Sequence, residues 1–380
     1  MPNIPEGPEV KRIADCLAKL LIGKTLVDLR YDQNSRYVKK GIVNHAALLA
    51  KLPLKITGVR TKGKKIILCL ENDVYLLSFL GLEGRWMLEP ADHSNLWMTL
   101  AEEIQIEAPA EIPAAAEPKA TKTVYYDDSR HFGLIEIVLS TADLNTRLKT
   151  IGPDLLSDNV TNEIWMDVIR KFITKVRSGR MKDRQICDFM LNQRFVSGIG
   201  NYIRAEALYR AKIRPDAYLS ELSDEEHERV RTASIDVIKE SYAAQGCTLR
   251  TYWDVEGKAG TFKVVVYSHD KDPLDNPVVT STFNDERTMH WVPAVQIYPI
   301  CLQGVPPRVK IVDPEKTKKQ ATPRKTPPTA LFFDLEKVKR STGRGGDQYT
   351  LIELKELARQ KNQKVTGTKA DLVSRLLAAN

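Results

Sequence analysis

Apolar residues fall at helical spacing in one N-terminal stretch, alternate in short strand-like runs up to about residue 140, and return to helical spacing through the middle of the chain. Pro8-Glu9-Val10 opens the first stretch. Val10, Ile13, Leu17, Leu20 and Leu21 share one helical face, and Gly23 closes it. Short β-rich runs follow at 55–60, 65–70, 74–80 and 85–88, parted by turn residues such as Glu71-Asn72-Asp73. Residues 101–120 are rich in Ala, Glu and Pro and read as a flexible insertion between strands. Strands resume at 124–126 and 134–139. One long helix followed by about eight short strands predicts an antiparallel β-sandwich with a helix attached.

Ile151-Gly152-Pro153-Asp154 punctuates the chain, and helical periodicity takes over at 159–177, 184–193 and 201–212. Ser223 caps a further helix, with Glu225 and Glu226 in the first turn, where negative charge suits the dipole. Strands at 262–267, 278–283 and 289–292, with a turn at Asp272-Pro273, predict a hairpin. Residues 303–348 are rich in Pro, Thr and Lys and are expected to be largely disordered, apart from an apolar island at Leu331-Phe332-Phe333. Two last apolar stripes, Leu351, Leu354, Leu357 and Leu372, Leu376, predict a small helical pair. The class is therefore α+β multidomain, divided as 1–155, 156–245, 246–300, a linker at 301–348, and 349–380.

Composition narrows this. With 380 residues and 42% hydrophobic, the chain can build two or three cores. No apolar run is long enough to span a bilayer, and no signal-peptide core opens the chain, so the expectation is an intracellular protein without a membrane partner. The 5 cysteines, at 16, 69, 187, 247 and 301, form no CxxC pair, which suits a reducing compartment and gives neither a disulfide framework nor a zinc site. Net charge is +8, and from Gln303 onward 17 Lys/Arg stand against 8 Asp/Glu, so the excess sits in the tail. A basic tail points to a polyanion, although solvated charge alone gives the same count.

Three stretches carry candidate chemistry. In Gly198-Ile199-Gly200-Asn201-Tyr202, glycines between two apolar helices give a tight turn. The N–H groups opening the second helix would favour an anion such as a DNA phosphate, though an ordinary helical corner has the same spelling. In Thr61-Lys62-Gly63-Lys64-Lys65, a lysine before a strand is a Schiff-base amine, a phosphate contact, or a solvated turn. Near the N-terminus, Pro2 and Pro5 are secondary amines if freed; an α-amino pKa near ~8 leaves a usable unprotonated fraction.

The string QICDFMLNQRFVSGIGNYIRAEALYRAKIRP, together with PEGPEV, FLGLEGRW and DSRHFG, resembles the formamidopyrimidine-DNA glycosylase/endonuclease VIII family, especially its endonuclease VIII-like branch, over roughly residues 4–300. The resemblance implies a bifunctional glycosylase and AP lyase of base excision repair. A proline amine would attack C1′ of the damaged nucleotide, and a glutamate beside it, here Glu6, would handle protons. It assigns the nucleophile to Pro5 and acids to Glu6 and Glu9, although Pro5 is an amide in the full chain and removal of Met1 would expose Pro2, followed by Asn3. Lys64 matches a catalytic or phosphate-contacting lysine. Asn201 and Gly200 in the helix–two-turn–helix match the phosphate-holding turn, and Glu206 matches the acid ordering it. Arg287 matches the finger arginine that grips the flipped nucleotide's phosphate. Leu82, His131 and Phe132 match side chains that fill the gap in the base stack, His131 standing where arginine is frequent.

The hairpin at 246–296 resembles the family's finger, with PLDNPV and WVPAV in place of CxxC pairs, so it is expected to hold no zinc and to rest on packing by Trp291 and Tyr267. No cofactor is implied. The segment 349–379 is similar to a SAP domain, with Gly367 and Lys369 at its DNA-contacting loop. The partner implied is damaged double-stranded DNA, bound by a monomer, in the nucleus. Two other readings use the same residues: a lesion-binding protein that has lost its amine, and a SAP-anchored genome scaffold.

Overall fold

The computed structural model describes residues 5–32, 41–102, 121–175, 181–248, 254–283, 286–299, 338, 349, 351–361, 363 and 368–378. They divide between two compact units, Met1–Ile311 and Val312–Asn380.

In the first unit, α1 (Gly7–Leu21) begins where Pro8 fixes an early helical φ and Glu6 and Glu9 close a capping box. It buries Val10, Ile13, Ala14, Leu17 and Leu21. Complete burial of such a side chain contributes on the order of 2 kcal/mol, so Leu17→Ala or Leu21→Ala would be among the most damaging single changes on this face. Eight strands follow among the described residues: β1 (Thr25–Tyr31), β2 (Leu54–Lys62), β3 (Lys65–Leu70), β4 (Val74–Phe79), β5 (Arg85–Met87), β6 (Ser94–Ala101), β7 (Thr121–Asp127) and β8 (Leu134–Val138), with α2 (His45–Leu49) after β1. Their order, β5-β7-β6-β1-β2-β3-β4-β8, is antiparallel throughout, and in the strand ladder its two halves pair through Thr25↔Lys55 and Leu26↔Leu54. Leu29, Leu96, Met98 and Tyr126 from one half share a core with Leu54, Ile66, Leu76 and Ile137 from the other. Trp86 donates across the halves to Ser78 (3.1 Å), and the Tyr126 hydroxyl to the Phe79 carbonyl (3.3 Å). The sheet is thus folded on itself as a sandwich. Its outer face on the β3-β4-β8 side is covered by α3 (Thr141–Leu148) through Leu144.

The helical part comprises α4 (Asn162–Phe172), α5 (Ile186–Leu191), α6 (Asn201–Ala211) and α7 (Asp224–Ala243), with a two-residue hairpin of β9 (Thr174–Lys175) and β10 (Met181–Lys182) between α4 and α5. Ile186, Phe189, Met190, Ile203, Ala207, Leu208 and Ala211 are buried as their spacing predicts, and Ser223 caps α7 in a capping box with Glu226. The finger pairs β11 (Val279–Thr282) with β12 (Thr288–Trp291). The second unit pairs α8 (Leu351–Gln360) and α9 (Lys369–Ala378), packing Leu354, Leu357, Leu372 and Leu376 around Val338 and Tyr349; Thr368 and Asp371 cap α9.

Several expectations are corrected. Strands β1 and β6 were not among the predicted runs, although Leu-rich alternation marks both; β7 begins at Thr121, not 124. The helix predicted to 177 stops at Phe172, where β9 begins. Residues 262–267 are not a strand: the N–H groups of Val265, Val266 and Tyr267 all donate to Glu206 rather than to a neighbouring strand. Residues 103–120, most of the linker with Leu331-Phe332-Phe333, the Leu351 side chain and Gly367 lie outside the described residues.

Candidate active site and DNA interface

The site forms where the start of α1, the β2–β3 turn and the start of α6 meet. Gly7 N–H donates to the Gly198 carbonyl at 2.8 Å, so the N-terminal segment lies directly on the 198–200 turn. From there the Glu6 carboxylate reaches the first turn of α6 and accepts from the N–H groups of Gly200 (2.6 Å), Tyr202 (2.9 Å) and Ile203 (3.3 Å). A helix N-terminus attracts an anion, and here the protein supplies one from its own chain. Gly200 is required for the approach, since a Cβ there would lie 2.2 Å from the Glu6 carboxyl carbon. This corrects the expectation that Gly200 offers its N–H to a phosphate: Glu6 occupies it. The Gly198 N–H is likewise taken, by the Gln193 side chain at 3.0 Å.

Glu9, one turn along α1, accepts from Glu6 N–H (3.0 Å), Cys247 N–H (2.9 Å) and the Tyr202 hydroxyl (3.0 Å). It is 3% exposed, an acid of the interior. Glu206 is completely buried and clamps the Val265–Tyr267 loop backbone. Both acids are therefore interior.

Lys64 sits in the two-residue Gly63-Lys64 turn between β2 and β3, where Lys62 pairs with Lys65. Gly63 has φ +57° and comes close to Ser197; it donates its N–H to Asp154 Oδ2 at 2.7 Å. The lysine is thereby anchored against the helix–two-turn–helix. Burial is the main cause lowering the Lys64 pKa, helped by Arg287 and Arg204 and opposed by Glu6 and Glu9. Burial likewise pushes the Glu6 pKa up to about 7, with Lys64 pulling it down and Glu9 pushing it up. Glu9 is raised by burial too. Two acids and an amine thus share one desolvated field, which favours the neutral form of each. Pro5, buried, directly precedes Glu6, and Pro2 lies outside the described residues.

Asn201 opens α6 partly exposed, its Oδ1 held by Arg204 at 3.3 Å. Arg287 is exposed just before β12, and its charge acts on Lys64. Sequence reasoning missed Arg204, which is fully buried and donates to the carbonyls of Cys187 (3.2 Å) and Thr288 (3.4 Å), tying Asn201 to the finger beside Arg287. It also missed Tyr202 and Asp154. For Arg204 and Tyr202 the signal was available, as polar side chains among the apolar residues of one helix; for Asp154, which lies in no helix, it was not.

Leu82 and the 131–132 pair meet on one edge of the sandwich. A Cβ on Gly81 would lie 2.5 Å from the Phe132 backbone, and Glu83 receives Ser129 (2.6 Å) and Arg130 (3.1 Å), so the two loops are joined. Phe132 is 56% exposed, His131 is partly buried at φ +55°, and Leu82 is partly buried. In the finger, Trp291 is fully buried opposite Val279, while Tyr267 lies outside the ladder and stacks edge-on against His290. Asp272 accepts from Leu274 (2.9 Å), Asn276 (2.8 Å) and Tyr209 (3.1 Å), and Gln296 closes a second turn onto Val292 at 2.7 Å. Among the described residues no three His, Cys, Asp or Glu gather into a metal-holding group. Lys369 begins α9 in the second unit.

Three family models cover this arrangement: the formamidopyrimidine-DNA glycosylase N-terminal domain over residues 4–135, its H2TH domain over 151–252 and its C-terminal domain over 253–297. The chain is 28% identical to a formamidopyrimidine-DNA glycosylase of an Exiguobacterium species over 278 residues, covering 71% of this chain and 90% of that protein. It is 25% identical to an Escherichia coli endonuclease 8 over 300 residues, covering 77% and 100%. Among solved structures, the MutM (Fpg) protein of Thermus thermophilus superposes with a TM-score of 0.62 at 26% identity, covering 77% of this chain and 98% of that one. A Lactococcus lactis Fpg variant in complex with Fapy-dG-containing DNA shares the fold at TM-score 0.61 and 22% identity, covering 77% and 99%.

Proposed function

The chain belongs to the formamidopyrimidine-DNA glycosylase/endonuclease VIII family of DNA glycosylases, and from that premise we propose that it excises oxidised bases and then cuts the strand through a Schiff base. The observation that carries this reading is the cluster of Glu6, Glu9 and Lys64: two buried acids and an amine at the junction of both halves, directly behind Pro5. An unprotonated amine attacks C1′, the C1′–N bond breaks, and the base leaves as it takes a proton. Glu6 delivers a proton to the sugar ring oxygen, which opens the ring and leaves an iminium. The iminium acidifies the adjacent C2′–H, and loss of that proton expels the 3′ phosphate; a second elimination expels the 5′ phosphate. The amine is Pro2, Pro5 after trimming, or Lys64.

Asn201 and Arg287 would hold the phosphate of the extruded nucleotide, and Leu82, His131 and Phe132 would fill the gap it leaves. The finger needs no zinc in this proposal, because Asp272 and Gln296 pin its two turns; metal chelation should leave folding and DNA binding unchanged. The helical pair of the second unit acts as a SAP module, Gly367 and Lys369 adding sequence-tolerant phosphate affinity to a monomer working in the nucleus. Deleting 303–380 should weaken binding without abolishing excision.

Borohydride reduction during turnover on damaged duplex tests the chemistry. A covalent adduct supports it, and mapping the trapped peptide assigns the amine, with mass spectrometry of the N-terminus deciding whether Pro2 or Pro5 is free. No adduct from native protein sinks the enzyme reading. The second reading, a lesion-binding protein without catalysis, is favoured by one observation: Pro5 is in peptide linkage in the full chain.

A further inference from the structure

Tyr202 touches both buried acids at once. Its backbone N–H donates to Glu6 Oε1 at 2.9 Å, while its hydroxyl donates to Glu9 at 3.0 and 3.3 Å and sits 3.0 Å from Ser241 Oγ. All four groups are interior: Tyr202 is 1% exposed, Glu6 2%, Glu9 3% and Ser241 0%. Of the three donors to Glu9, two are backbone N–H groups fixed by the fold, and the Tyr202 hydroxyl is the one that rotates. When Glu9 is ionised the hydroxyl donates to it and accepts from Ser241. When Glu9 takes a proton, the hydroxyl turns, accepts from Glu9 and donates to Ser241. The pair therefore satisfies either charge state of Glu9 without moving the backbone, and a buried polar network that is satisfied in both states lets a proton come and go.

We propose that Tyr202 is a positioning residue that, with Ser241 behind it, sets the proton occupancy of Glu9 and through Glu9 that of Glu6. The inference rests on the glycosylase reading for its use in the reaction, but not for the coupling itself. The charged and titratable groups facing these acids are Lys64 from the β2–β3 turn, Tyr267 from the loop held by Glu206, Cys247 from the turn after α7, and, acting on Lys64, Arg204 of α6 and Arg287 before β12. None of them replaces a hydroxyl donor to Glu9. Burial holds the Tyr202 pKa well above its usual value, so the hydroxyl keeps its proton throughout the working range.

The sign of the effect follows. Tyr202→Phe keeps the ring and the backbone N–H but removes a donor from ionised Glu9, so Glu9 holds its proton to higher pH. A more protonated Glu9 repels the Glu6 carboxylate less, so Glu6 ionises at lower pH.

The test uses full-length protein with glutamate carboxyls labelled with carbon-13, and resonances assigned from Glu6→Gln and Glu9→Gln. Tyr202→Phe is expected to move the Glu9 titration up by about half a unit or more, the order for one lost charge-assisted hydrogen bond to a buried carboxylate. Glu6 should move the opposite way, and the limb of the excision pH profile near pH 7, on duplex carrying a ring-opened purine, should follow Glu6 to lower pH. Ser241→Ala, which leaves the Tyr202 hydroxyl in place, should give the same signs at smaller size. Unmoved titrations with only a lowered thermal midpoint make Tyr202 a packing residue and overturn the proposal. If native protein forms no borohydride adduct, the repair reading fails while the carboxyl titrations still decide the coupling.

Discussion

Glu6 meets the first turn of α6 from outside, and Glu206 projects from the middle of the same helix; each is buried and accepts three backbone N–H groups. Hydrogen bonding alone does not tell them apart. Glu206 faces a loop backbone and takes the N–H groups that a strand ladder would otherwise use. Glu6 faces Lys64 and Glu9, and burial pushes its pKa up to about 7. The difference teaches that a saturated buried carboxylate is a clamp by default. It becomes a candidate for proton chemistry when a second acid and a desolvated amine share its field.

The largest effects should come from breaking the pair in opposite directions. Glu206→Ala strands three buried N–H groups and should cost roughly 3–5 kcal/mol in denaturant unfolding, while excision per folded molecule stays within a few-fold of native. Glu6→Gln keeps volume and one acceptor, so its stability loss should be nearer ~1 kcal/mol while excision falls by about 10²–10⁴. A stable Glu206→Ala protein with no excision would invert the comparison.

Next in size is pH. A carboxyl whose pKa rises from 4.5 unfolded to about 7 folded binds more protons in the folded state across that window. Stability contributed by Glu6 is therefore full below pH 4.5 and declines as pH rises to 7, by about 3 kcal/mol at most. Lys64 has the opposite sign: its folded pKa is lowered, so stability recovers as pH rises from that value towards 10.5. Urea midpoints against pH should reflect the loss of the Glu6 contribution between pH 4.5 and about 7 in native protein and not in Glu6→Gln; identical profiles would place Glu6 outside the field it shares with Lys64 and Glu9.

Lys64 is a smaller and sharper probe. Lys64→Ala should lower excision by about 10–100-fold, and Lys64→Arg should fall as far, because a guanidinium keeps the charge but does not release its proton. Activity retained by the arginine variant would reduce Lys64 to a phosphate contact.

Much of this was legible beforehand where one residue's periodicity decides the outcome. Leu17 and Leu21 declare their helix face, Ser223 its cap, and Gly198 with Gly200 their turn, because local spacing and packing agree there. What was not legible depends on contacts across the chain. No pattern in 198–202 says that the anion at the α6 N-terminus is Glu6, 194 residues upstream of Gly200. Nothing in 262–267 says that its N–H groups leave the ladder for Glu206, since a β-rich run spells a strand until a buried acid competes for it. Arg204 and Tyr202 were visible as polar letters in an apolar helix, and the resemblance drew attention to their neighbours instead.

Phe132 gives the smallest effect and tests the remaining contrast, between interior acids and an exposed aromatic ring. At 56% exposure its ring adds little to the fold, so Phe132→Ala should change stability by less than about 0.5 kcal/mol. Its backbone is fixed against Gly81 and its neighbours Ser129 and Arg130 are tied to Glu83, so an ordered loop holds the ring out to solvent. A ring that fills a vacated base position contributes only when a base has left the stack. Binding to duplex with an abasic or damaged site should therefore weaken about 5–10-fold, while binding to undamaged duplex is unchanged. Equal weakening on both duplexes would show the ring contacting DNA without entering it, and would leave Leu82 and His131 as the only wedge.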